Sequence, residues 1–411
     1  MKPQFLFSFL VPISTACLQH LQSRSQTAQP PSLPPYNSSP LTNTAIQNVR
    51  VFNGTAMTPP QTIIISGTHI STPTNTTSIN TTIDATGLFL IPGLIDSHLH
   101  LQNPSDLLTL TSYGITTALQ MNCQNYTHCT TFRTHPGLTS FHTAGLSAVG
   151  PNSSHAKMLH RPANQLFYPN SSAEQFVHDA FAHGADYYKI TAELNGPSRE
   201  AQRELVSAVH ARGRLAMTHA ADVRAYEDAS ASGTDGLQHV PKDGVLCREV
   251  VRRVRDSGTQ FVTPTLSIFN AAFGNPDILG FLGGMGKNAS LENVMKNVGM
   301  LRGEGVPILA GTDAVGDLRP VANVSIEFGK TLHEELGLLV QAGLSEAEAL
   351  DAATRIAARW HRLDDRGVVE PGKRADLVLL GSNPLENIGN TFDLERVWIG
   401  GREYQDVKRK R

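Results

Sequence analysis

Beyond Pro92 the chain repeats one pattern: a short apolar run, an amphipathic stretch of helical period, and a glycine or polar turn. The first apolar run ends near His98. Others fall at residues 114–119, 146–149, 187–191, 215–219, 236–239, 261–266 and 306–313. Helical periodicity is clearest over residues 198–211 and 245–257, and Gly213 and Gly258 follow these stretches where a left-handed cap is needed. Strands that alternate with helices in this way pair in parallel, because each crossover returns the chain to the same sheet edge. Eight such units over roughly 260 residues predict an α/β fold, a (β/α)8 TIM barrel. A doubly wound open sheet is the alternative, but no Gly-x-Gly-x-x-Gly follows a strand to anchor it.

A barrel gives the polar residues after its strands a specific meaning, since active sites of this fold gather at the C-terminal strand ends. His98 and His100 stand two apart at the end of the first run, and alternation turns both side chains to one face. Two imidazoles aimed at one point suit a metal ion. Lys189, His219, His239 and Asp313 stand at four further runs. Lys189 does not fit as an ammonium, which cannot bind a cation and is expensive to bury beside one. Its neutral amine can capture carbon dioxide, and the resulting carbamate could bridge two divalent metals. The alternative is an ordinary ion pair with Glu193 or Asp186.

Length and charge narrow the partners. The chain has 411 residues, 40% of them hydrophobic, so a large core is available. A formal charge of −2 offers no basic face for nucleic acid and no polybasic membrane patch. No apolar run reaches the roughly 18 residues of a membrane span. A small molecule or short peptide is the expected partner, and oligomerisation is left open.

The N-terminus reads as an address. A basic start at Lys2, an apolar segment over residues 5–13 and small residues at Ser14, Thr15 and Ala16 predict a signal peptide over residues 1–16. Residues 17–45, rich in Pro, Ser, Gln and Asn, read as a flexible leader. Glycosylation sequons begin at Asn37, Asn53, Asn75, Asn80, Asn125, Asn152, Asn170, Asn288 and Asn323. A secreted or endomembrane location is expected from this density. Cys123 and Cys129 either close a small loop or stay as free thiols, and Cys247 reads as a buried thiol.

The segments 92–100 (PGLIDSHLH), 184–190 (GADYYKI), 217–220 (MTHA), 236–239 (GLQH), 310–313 (AGTD) and 367–378 (GVVEPGKRADLV) together resemble the amidohydrolase superfamily. The similarity is to its binuclear branch with a carboxylated lysine, which includes Xaa-Pro dipeptidases, carboxypeptidases and ochratoxin-degrading enzymes. The resemblance implies that His98, His100 and Asp313 hold a deeper metal, His219 and His239 an outer one, and carboxylated Lys189 and a hydroxide bridge them. Two divalent ions are implied, zinc first given imidazole and carboxylate ligands, with manganese or iron as alternatives. It further implies a barrel over residues 91–364 and a composite β-sandwich built from residues 46–90 and 365–411.

The implied activity is metal-dependent hydrolysis of an amide or peptide-like C–N bond, with Asp313 as catalytic proton shuttle. The alternative keeps the metal site but uses it for lactone hydrolysis, decarboxylation or dehydration of a small metabolite. A non-catalytic barrel would lack ligands, and none of the six is missing. The loop over residues 120–137 departs from the family pattern: an Arg-Asp-type run is expected there, and two cysteines and a sequon stand instead. His155 lies where substrate-contacting residues fall.

Overall fold

The computed structural model describes residues 33–36, 38–72, 78–282, 284–317, 319 and 325–407. The expected signal peptide, residues 17–32 of the expected leader, and the sequons at Asn37, Asn75 and Asn323 lie outside the described residues. Among the described residues seventeen strands follow in chain order. They are β1 Thr44–Val51, β2 Gln61–Ser66, β3 His69–Ser71, β4 Thr81–Asp84, β5 Phe89–Pro92 and β6 Leu94–Leu99. Next come β7 Ile115–Gln120, β8 Ser140–Thr143, β9 Tyr188–Thr191, β10 Ala216–His219, β11 Gly236–Gln238 and β12 Phe261–Thr263. The last are β13 Gly316–Asp317, β14 Ser325–Ile326, β15 Leu377–Leu380, β16 Leu394–Ile399 and β17 Arg402–Tyr404.

The two ends of the chain share one sheet. Its order is β17-β16-β15-β5-β1-β2-β3, with β4 also on β1. The joint is the antiparallel pair β5 and β15, in which Leu377 faces Pro92 and Leu380 faces Phe89. β1 serves two neighbourhoods because its register shifts between Ile46 and Val49, where Asn48 takes a φ of 59°. Residues before the shift pair with β2 and β4; Arg50 and Val51 after it pair with β5. Ile46, Ile65, Leu90, Leu377 and Trp398 then pack into one core drawn from both ends of the sequence. Gly400 and Gly401, with φ 53° and 73°, make the tight turn between β16 and β17.

Between those ends, parallel strands alternate with helices as the pattern predicts. β6-β7-β8 form one parallel sheet and β9-β10-β11-β12 another. The helix Arg199–His210 starts on Ser198, whose side chain accepts from the Ala201 amide, and Arg248–Ser257 ends on Gly258 at φ 64°. The expectation of eight regular strands needs correction, because no closed eight-stranded sheet forms among the described residues. The third stave is β8, at residues 140–143. Gly145, at φ 68°, breaks it before the apolar run at 146–149, which keeps only the Ala148–Ile190 bridge. The run at 306–313 contains Pro307 and Gly311 and forms no regular strand. It bridges Val262 at Ile308, and Ala314 just beyond it bridges Leu99. Ile95, Leu119, Met217, Phe261 and Leu309, from both parallel sheets and this last run, belong to one buried cluster.

Cys123 and Cys129 are joined as a disulfide, with Cα atoms 6.3 Å apart. Cys247 is exposed, correcting the expectation of a buried thiol: it precedes the helix at its N-cap rather than lying on its apolar face. Among the described residues no helix is long and apolar enough to cross a membrane.

Candidate metal centre

The segment carrying Asp313 is held against β6 by a dense polar staple. The Asp96 carboxylate accepts from the amides of His98 and Thr312, each at 3.1 Å, and from the Thr312 hydroxyl at 2.8 Å. The His98 carbonyl accepts in turn from the amides of Thr312 and Asp313. Only glycine fits at position 311, since a Cβ there would lie 2.5 Å from the Thr263 methyl and 2.9 Å from the His98 amide nitrogen. Burial pushes the Asp96 carboxyl up to about 7 despite these bonds.

That staple brings distant residues together. Asp313 Oδ1 lies 3.3 Å from His98 Nε2 and 3.0 Å from His100 Nε2. The ligand atoms of His98, His239 and Asp313 all fall within 4.8 Å of one another, so this trio could hold a metal ion. His239 contacts the His219 ring at 4.4 Å between centroids and the His98 ring at 4.9 Å. Lys189 is buried in β9, beside Met217 of β10, and acts electrostatically on His98, His219, His239 and Asp313. The expected alternative for Lys189 does not occur: Glu193 pairs with His155 and Asp186 with Arg133. All six strand-end residues therefore share one neighbourhood.

Three residues here adopt left-handed backbone that non-glycine residues rarely take: His239 at φ 70°, Thr265 at 51° and Asp313 at 55°. Each conformation costs roughly 1–2 kcal/mol, and the surrounding bonds must hold it.

Sequence reading did not single out the residues that aim the imidazoles. Gln238 Oε1 lies 2.8 Å from His98 Nδ1, so that nitrogen donates and Nε2 keeps its lone pair. Thr265 directs its hydroxyl hydrogen to the Pro264 carbonyl, and its oxygen therefore takes the His239 Nδ1 proton at 2.7 Å. Only the buried polar character of Gln238 between Leu237 and His239 could have signalled this. Nothing in the sequence marks Thr265.

The electrostatics favour ligands ready to bind. Burial holds His98 down at about 4, helped by Lys189 and opposed by Asp313. Burial and neighbouring cationic groups hold His219 and His239 well below the usual imidazole range. Burial lowers Lys189 to about 7, with Asp313 opposing. Asp313 is raised by burial, but His98 and His100 outweigh that and keep it well below the carboxylate range. At neutral pH His98, His219 and His239 are uncharged, Asp313 is anionic, and the Lys189 amine can lose its proton.

The family match is direct. The model of the Amidohydrolase family covers residues 89–404, and the chain belongs to that family and is thereby a hydrolase. No curated protein sequence matches it. A Xaa-Pro dipeptidase with bound methionine aligns over 89% of this chain and 100% of its own, at 18% identity and a TM-score of 0.74. A prolidase complexed with N-methylphosphonate-L-proline aligns over 90% and 100%, at 22% identity and 0.70. Ochratoxinase of A. niger aligns over 89% and 96%, at 18% identity and 0.70. The branch that the sequence resembles is thus represented among the solved structures.

Proposed function

We propose that this chain is a secreted or endomembrane metallohydrolase cleaving an amide or peptide-like C–N bond. The convergence of His98, His239 and Asp313 within 4.8 Å carries the reading. The donor set fits a divalent pair: neutral imidazoles at His98, His219 and His239, with Nδ1 of His98 and of His239 already spent on Gln238 and Thr265, an anionic carboxylate and a lysine able to present a neutral amine. His98, His100 and Asp313 would hold one ion and His219 and His239 the other, with Lys189 between them as a carbamate. The likeness to dipeptidase and prolidase structures supports a peptide-like substrate. The parallel sheets and their bridges support a (β/α)8 barrel with this site at its mouth, and the shared sheet of the chain ends supports the flanking β-sandwich.

When bound, such a metal pair supplies Lewis acidity, sharpening water as a nucleophile and polarising the scissile carbonyl. Asp313, side chain 17% exposed, lies where it can accept the attacking water's proton and return it to the leaving nitrogen. Asp96 and Gly311 hold that carboxylate in place, and Gln238 and Thr265 keep the imidazoles in the ligating tautomer. His155 sits over His219, ring centroids 4.4 Å apart, and would meet the substrate. The location rests on the disulfide and on the sequon asparagines at 53, 80, 125, 152, 170 and 288, all of which are exposed.

A panel of dipeptides, N-acyl amino acids and lactones, read by product mass, tests this. Gain of one water across a C–N bond is expected, as is a fall in kcat of about 10²–10⁴ for Asp313→Asn. Near-wild-type turnover in that variant, or products without added water, would overturn the mechanism.

A further inference from the structure

Glu193 is not one of the strand-end residues, yet it is nearly buried at the mouth, its side chain 8% exposed. One of its oxygens, Oε1, accepts from both the backbone amide and Nδ1 of His155, each at 3.0 Å. The Ser153 hydroxyl also bonds to this carboxylate while accepting from the Ala156 amide at 3.2 Å. The two loops involved are closely fitted: a Cβ at Gly150 would collide with the Asn195 carbonyl, and Asn152 and Asn195 both take left-handed backbone at φ 62° and 63°. His155 therefore has no freedom at Nδ1. Its ring stands edge-on to His219, and Nε2 meets no protein partner among the described residues.

We infer that Glu193 is a positioning residue that locks the His155 ring and its tautomer, so that Nε2 alone is offered to the substrate beside His219. This rests on the hydrolase reading above for its consequence, though not for its geometry. A carboxylate accepts only, so Nδ1 must carry a proton. With Nδ1 spent on Glu193, Nε2 is the one ring nitrogen left to face the substrate. The arrangement mirrors the Gln238–His98 and Thr265–His239 pairs, in which a fixed acceptor also sets which nitrogen is offered. Here it serves a histidine outside the ligand set.

Two measurements test it. Nitrogen-15 spectra of histidine-labelled protein, as purified and at about pH 8, should show His155 protonated at Nδ1. The proton should move to Nε2 in Glu193→Ala and stay at Nδ1 in E193Q, whose amide oxygen still accepts. On a hydrolysed substrate, E193A should lower kcat/KM by about 10-fold, with E193Q recovering most of it. On a His155→Ala background, E193A should change the rate by less than about twofold, because the residue it acts through is gone. An unprotonated Nδ1 in the wild type, or an undiminished E193A effect without His155, would overturn the inference. A protonated Nδ1 in a protein that hydrolyses nothing would leave the pair standing and remove the hydrolase reading instead.

Discussion

Two sets of buried imidazoles in this molecule look alike by burial and differ in what their nitrogens do. At the mouth, His98 has Nδ1 tied to Gln238 and Nε2 turned to Asp313. Against the C-terminal segments, His333 of the helix Lys330–Gln341 spends both nitrogens on the protein. Its Nε2 donates to the Tyr113 carbonyl at 2.9 Å, its Nδ1 engages the Thr391 hydroxyl at 2.9 Å, and its ring stacks on Phe392 at 4.3 Å. Burial lowers both histidines to about 4, so acidity does not separate them. What separates them is where the second nitrogen goes: that of His98 is turned to Asp313 and the candidate metal site. Two satisfied nitrogens mark a structural tie.

Breaking the mouth should have the largest effect. On the proposed function Lys189→Ala removes the group that would lie between the two ions, and turnover should fall by at least about 10³-fold with metal content dropping from near two ions per chain. Retention of two ions and of turnover would show that Lys189 does not bridge. Gln238→Ala and Thr265→Ala sharpen the contrast, since they leave every ligand present but free its ring. Each should weaken metal affinity about 10–100-fold, read by competition with a chelator. His333→Ala should do the opposite, leaving metal content unchanged while lowering stability by about 2–4 kcal/mol in urea titrations. Metal loss in the His333 variant would erase the distinction drawn here.

The smallest effect concerns Glu335, two residues beyond His333 on the same helix. It is fully buried, accepts from the Leu266 and Ser267 amides and the Ser267 hydroxyl, and is raised by burial from 4.5 to about 7. A raised carboxyl keeps its proton longer in the folded state, so stability from this group is present at low pH and is lost as pH rises from 4.5 through about 7. The buried histidines act with the opposite sign. The difference between wild type and Glu335→Gln therefore isolates the carboxyl, and the variant should lose less stability between these limits. Parallel pH profiles for the two proteins would contradict it.

That these candidate residues gather in one neighbourhood was foreshadowed in the sequence, because each stands at or near the end of an apolar run. His98 and His219 lie within strands and needed only that rule, whereas His100 and His239 stand just past the ends of theirs. The residues that tune them did not follow from it. Gln238 lies next to a ligand but acts on one 140 positions away, and Glu193 acts on His155 across 38. Pairings between strands that are not neighbours in sequence leave no local periodic trace. The irregular staves were missed for a related reason. An apolar run looks alike whether it forms a ladder or, as at 306–313, a single bridge interrupted by Pro307 and Gly311.

Hydrophobic period and polar strand ends, which are properties of short stretches, thus determined the α/β alternation and the chemistry-bearing residues. Tertiary structure alone decided which nitrogen His98 and His239 offer, that Cys123 meets Cys129, and that Glu193 and Asp186 pair with His155 and Arg133 rather than with Lys189. Those outcomes depend on hydrogen bonds and distances between remote segments, and such geometry exists only once both sheets have packed around their common core.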